Sequence, residues 1–194
     1  MLTTIWNCAH RTWQVGIGDP GIMGWVIVAV YLLTGLAAFR TASSGRFPYS
    51  SAGRERFFWR ALGLVMILLA INKQLDLQSL LTASARCMAQ LQGWYGSRRV
   101  VQVGFIIVLL ALMSLLAIIT LAILRGTMRR TGLALIGLSV VLAFVAVRAV
   151  GFHHMDQLIN MRFQNIRVNW IMEMAGPLMI LTACILNLRA DRNQ

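Results

Sequence analysis

The chain has 194 residues, of which 58% are hydrophobic and 12% charged, with a formal net charge of +12. A water-soluble domain of this size needs less apolar sequence and carries more charge, so the composition excludes an ordinary soluble domain and places the chain in a bilayer. The basic excess suits anionic lipid headgroups better than nucleic acid, because no soluble platform is left to carry base-stacking aromatics.

Residues 1–19 lack both a basic leader region and a continuous apolar run, so they read as an arm ahead of the first span and not as a signal peptide. Five apolar runs follow, against a need of about 20 residues per helical span: Gly21–Phe39, Phe57–Ile71, Val101–Leu124, Gly132–Val150 and Val168–Leu188. No 20–50-residue repeat, low-complexity tract or long linker divides them. The expected fold is therefore all-α: a single polytopic domain over residues 1–194, with five transmembrane helices and an amphipathic helix on the outer face.

The loop after the first span, from Arg40 to Arg60, is basic and offers a docking surface for a partner. With Arg125, Arg129, Arg130, Arg189 and Arg192 it gives one side of the membrane ten basic residues in short loops and a short tail. The other side carries eight over about twice the length, so the positive-inside rule puts the amino terminus outside and the carboxyl terminus in the cytoplasm.

The second run is short. Fifteen residues rise about 22 Å, against a hydrocarbon core of about 30 Å, so polar groups are expected to enter the outer leaflet. They follow at once as Asn72-Lys73-Gln74-Leu75-Asp76-Leu77-Gln78. If the helix continues, Asn72, Asp76, Ser79, Arg86 and Gln90 form one polar stripe, while Leu77, Leu80, Leu81, Met88 and Leu91 take another face. Residues 76–91 thus read as an amphipathic helix, packed on the bundle or lying at the interface. Gly93-Trp94-Tyr95-Gly96 ends it at headgroup level, with Arg98 and Arg99 placed to snorkel or meet lipid phosphate.

The last two spans bring polar groups to the same end. Arg148 precedes Gly151-Phe152-His153-His154-Met155-Asp156, and Asn169 and Glu173 stand at the start of the final helix. Charged groups at this depth need partners, and an ion pair between Arg148 and Glu173 is the plain reading. Pro177 removes the helix hydrogen bond to the Glu173 carbonyl and loosens the chain beside that carboxylate.

The candidate site is thus a polar cluster of Asn72, Lys73, Asp76, Arg148, His153, His154, Asp156, Asn169 and Glu173. Within it His153, His154, Asp156, Glu173 and Asp76 form a candidate ligand set for a divalent metal, imidazole and carboxylate being normal donors for zinc, iron or manganese. The H-E-x-x-H signature is absent, so spacing permits a metal without requiring one. Haem or copper has less support: Met155, Met161, Met172 and Met174 are soft donors, but methionine at helical spacing more often packs. Ser79, Ser84 and Cys87 lie nearby without a nucleophile–base pattern. Cys8 and Cys87 both fall outside and could pair in an oxidising compartment, two free thiols being the alternative; Cys184 is buried near the inner end of the last span.

The motifs Asn72–Gln78, Gly93-Trp94-Tyr95 with Arg98-Arg99, Gly151-Phe152-His153-His154 with Asp156, and Asn169-Trp170 with Glu173 resemble a family of small polytopic bacterial inner-membrane proteins. Gly16-Ile17-Gly18-Asp19-Pro20 extends the likeness towards the amino terminus. The resemblance implies a bacterial inner-membrane location and brings no established activity. Two function classes follow from the residues: a non-catalytic subunit or accessory partner of a membrane assembly, surrounded by membrane lipids, and an intramembrane metal-dependent enzyme or redox protein acting on a lipid-linked substrate. A small carrier or channel is a third, without the inverted repeat or paired broken helices that transporters use.

Overall fold

The structure is a computed structural model that describes residues 6–8, 10, 13, 19–44, 47–150, 162–163 and 166–192. It is all-helical, apart from a two-residue antiparallel ladder pairing Arg162 with Arg167 and Phe163 with Ile166. The helices are α1 (Ile22–Ser44), α2 (Ala52–Leu75), α3 (Leu77–Leu91), α4 (Arg98–Ile123), α5 (Met128–Val150) and α6 (Val168–Arg192). All but α3 are long and apolar enough to cross a membrane, which makes this a multi-pass membrane protein.

Four helices pack in the order α2–α1–α6–α5. Their shared core joins Ile27 and Tyr31 of α1, Trp59, Leu62 and Met66 of α2, Val141 of α5 and Ile180 of α6. Two glycine contacts set how closely the helices approach. A Cβ on Gly35 would stand 3.1 Å from the Gly63 carbonyl oxygen, and one on Gly137 would stand 2.8 Å from that of Gly176. Bilayers supply little hydrophobic drive between helices, so close backbone approach at small residues is how such pairs gain packing contact. α4 touches α5 lightly, and its apolar side chains face outward around the helix.

The second span differs from the expectation. α2 starts five residues before Phe57 and ends four after Ile71, and its 24 residues rise about 36 Å, enough to cross. Composition alone hid this, because one charged residue at each end of α2 is buried against protein. Glu55 is 1% exposed and accepts a 2.7 Å hydrogen bond from the Ser51 hydroxyl, while Lys73 is held by carboxylates at the other end.

The polar stripe expected to continue from Asn72 through Gln90 is also broken. Asp76 takes the left-handed conformation, φ 47° and ψ 47°, and ends α2, so α3 starts on a new axis. Aspartate tolerates that region better than most residues do. α3 is amphipathic as expected, but Leu77, Leu81, Met88 and Leu91 remain exposed, which favours the interfacial arrangement over packing on the bundle.

Candidate functional site

The bundle end at which α2 finishes and α6 starts holds a polar, half-open cavity of about 280 Å³. Asn72 and Lys73 enter it one turn beyond Leu69 of α2, and Asp76 closes that side at the helix break. α5 contributes Phe144, Val145 and Arg148, which recur at helical spacing on one face; α6 contributes Asn169 and Glu173, four residues apart. Tyr31 of α1 and Asp19 of the amino-terminal arm complete the lining.

At its centre Lys73 Nζ donates to Glu173 Oε2 at 3.0 Å, with side chains 8% and 4% exposed. Asp19 Oδ2 is the second carboxylate on the same ammonium, at 3.5 Å. Lys73 thus links the arm, α2 and α6. The expected pairing of Arg148 with Glu173 is corrected: Glu173 belongs to Lys73, and Arg148 has no hydrogen bond or carboxylate within ion-pair range among the described residues. Helix spacing could not distinguish the two, since both cations reach the same end of the bundle.

The arm is tied over this end at three points. Cys8 and Cys87 are joined by a disulfide, Trp13 Nε1 donates to the Leu75 carbonyl at 3.3 Å, and Asp19 meets Lys73. Gly24 makes room for the last of these, because a Cβ there would lie 2.5 Å from the Asp19 carbonyl oxygen. Asp19 also accepts from the Gly21 amide at 3.3 Å, holding the turn into α1.

Six of the nine cluster residues read from the sequence therefore line one cavity: Asn72, Lys73, Asp76, Arg148, Asn169 and Glu173. His153, His154 and Asp156 lie outside the described residues. Of the candidate metal ligands, Asp76 and Glu173 share the cavity, but among the described residues no group of three or more His, Cys, Asp or Glu side chains is arranged to hold an ion. Asn169 Oδ1 and both polar atoms of Gln74 are buried without a hydrogen-bond partner among the described residues. Buried polar atoms are normally paired, so Asn169 gives the cavity wall unused capacity to accept.

Tyr31 and Asp19 are lining residues that the sequence reading missed. A phenol inside an otherwise apolar run and an acid in the turn before a span were the available signals. A second polar cluster, built around the buried Glu55 at the opposite end of the bundle, was missed as well. There Glu55 Oε1 meets the Ser51 hydroxyl and, at 3.8 Å, Arg130 Nη1, while Arg54 Nη1 donates to the Ile123 carbonyl at 3.0 Å. An acid set between Arg54 and Arg56 was its signal.

Fold and site together define a multi-pass helical membrane protein with a charged, half-open cavity at one end of its bundle. No protein-family model matches the chain, and neither a curated protein nor a solved structure matches it.

Proposed function

We propose that the protein is a non-catalytic subunit or accessory partner of an assembly in the bacterial inner membrane, with its polar cavity at the extracytoplasmic face holding a small polar ligand. The observation that carries this is the convergence of Lys73, Glu173, Asp19 and Arg148 from four separate segments on one cavity. Burying charge costs several kcal/mol per ion unless it is well paired, so such a cluster marks a place where structure is maintained for a purpose.

Two observations support the orientation. The bundle end opposite the cavity carries Arg40, Arg54, Arg56, Arg60, Arg125, Arg129, Arg130 and Arg189, as a cytoplasmic face does. The Cys8–Cys87 disulfide lies at the cavity end, as expected of the side facing an oxidising compartment. The assembly role draws support from α4, which is apolar on every face and packs little on its own chain. Such a helix is free to seat against another membrane protein through side-chain packing.

A second reading, an intramembrane metal-dependent enzyme or redox protein acting on a lipid or lipid-linked substrate, draws on Asp76 and Glu173 facing one cavity. It would require Glu173 to exchange Lys73 for the ion.

The test is isolation of the full chain from its native membrane in mild detergent, with native mass spectrometry and elemental analysis of wild type and Glu173→Gln. A stoichiometric partner chain on the wild type is the expected result. A monomer without a partner overturns the assembly role, and stoichiometric metal lost in Glu173→Gln replaces it with the metal-dependent reading.

A further inference from the structure

At the end of the bundle away from the cavity, α1 and α2 border an open groove of about 1050 Å³ lined by Phe39, Arg40, Ser43, Phe57, Arg60, Ala61 and Leu64. We propose that this groove is a binding site for one anionic phospholipid, with its phosphate held between Arg40 and Arg60 and an acyl chain laid along Phe39, Phe57, Ala61 and Leu64. The site is separate from the cavity, and the proposal stands whether or not the cavity holds a ligand.

The wall of the groove faces hydrocarbon. On α2, Phe57, Arg60, Ala61 and Leu64 recur at three- and four-residue spacing, so they form one stripe. Phe57 is 70% exposed and Leu64 54%, on a helix that spans the membrane. On α1 the same applies to Leu36, Arg40 and Ser43, with Leu36 60% exposed. The close contact of Gly35 with Gly63, three residues past Arg60 along α2, draws the two helices together beside the groove.

Each arginine is a cation on a lipid-facing stripe. Arg60 lies eight residues past Ala52, about 12 Å along the helix from its start, with exposed apolar residues a turn away on both sides. A guanidinium in that position must snorkel towards the headgroups and find an anion there. Among the described residues neither Arg40 nor Arg60 has an ion pair or side-chain hydrogen bond, and Glu55, the acid nearest Arg60 in sequence, is buried and bonded to Ser51.

The complementary occupant carries a phosphate at headgroup level and a hydrocarbon chain below it. Guanidinium binds phosphate bidentately, so two of them from adjacent helices can hold one phosphodiester from both sides. The apolar stripe from Phe57 to Leu64 extends about 10 Å, which matches a length of acyl chain running inward from that phosphate. A phospholipid with net negative charge is favoured over a zwitterionic one, whose own ammonium already compensates its phosphate.

The experiment is native mass spectrometry of the delipidated full chain in detergent, titrated separately with phosphatidylglycerol, phosphatidylcholine and glycerol 3-phosphate. Wild type should retain one phosphatidylglycerol in preference to phosphatidylcholine. Arg40→Gln with Arg60→Gln should weaken it about tenfold or more, the scale of a lost charge-assisted hydrogen bond. Ala61→Trp, which fills the groove without changing charge, should also weaken it, and Arg56→Gln, outside the groove, should leave it unchanged. Equal retention of the two lipids by wild type overturns the proposal and needs no variant to fold. Undiminished phosphatidylglycerol binding by the double arginine variant overturns it too. Competition by glycerol 3-phosphate as effective as that by the lipid would replace a lipid site with a site for free phosphate.

Discussion

Lys73 and Glu173 are one hundred residues apart in sequence, and their side chains meet at 3.0 Å inside the bundle, joining α2 to α6. Elsewhere those two helices have little to hold them, since α1 packs between them. The pair therefore acts as a polar clasp across the cavity. Removing one partner strands the other, so Glu173→Ala should lower stability by about 3–5 kcal/mol. Lys73→Ala with Glu173→Ala should cost clearly less than the sum of the single changes, a coupling of about 0.5–3 kcal/mol. Denaturant unfolding in micelles measures the cycle; strict additivity would refute the clasp.

The glycine contacts predict effects of opposite sign on different helices. A Cβ at Gly176 would run into Val141 and stand 2.7 Å from the Gly137 carbonyl oxygen, so Gly176→Ala must push α5 from α6 and should cost about 1–3 kcal/mol. At Gly104 of α4 a Cβ meets nothing within 4 Å, and Gly104→Ala should be neutral or stabilising by up to about 1 kcal/mol through helix propensity. Thermal unfolding in one detergent compares them directly.

The disulfide between Cys8 and Cys87 closes a loop with a sequence separation of 79. Its loss should destabilise by about 2–4 kcal/mol, chiefly by freeing the unfolded chain. Cys8→Ser, Cys87→Ser and the double change should be equivalent, because each removes the same bond. A reductant-dependent gel shift, present in wild type and absent in all three, identifies the bond independently of stability.

At the opposite end, Glu55→Ala should cost about 1–3 kcal/mol, because it removes the acceptor of the Ser51 hydroxyl and leaves Arg130 without its carboxylate. Glu55→Gln keeps an acceptor for Ser51 and should cost less. The coupling between Lys73 and Glu173 should be unaffected by either, and a shift in it would show that the two ends are coupled.

Span number, the amphipathic helix and most of the polar cluster were legible because they follow from local pattern. Apolar run length sets what crosses a bilayer. A 3.6-residue repeat sets which residues share a face, and polar residues just past the ends of several runs must meet if those runs are neighbours. Pairing was not legible. Arg148 is the partner that helix-end position offers Glu173, whereas the bundle gives that carboxylate to Lys73, and the length of α2 was hidden because Glu55 and Lys73 read as interruptions of an apolar run instead of charges satisfied inside the bundle. Asp76 broke the expected polar stripe through a single backbone conformation that residue spacing does not encode. Helix order rests on Gly35 against Gly63 and Gly137 against Gly176, contacts between backbones far apart in sequence. In a bilayer every apolar face is equally welcome to lipid, so hydropathy decides that a helix spans and says little about its neighbour. Close packing and the pairing of buried charge decide that, and both exist only once the chain has folded.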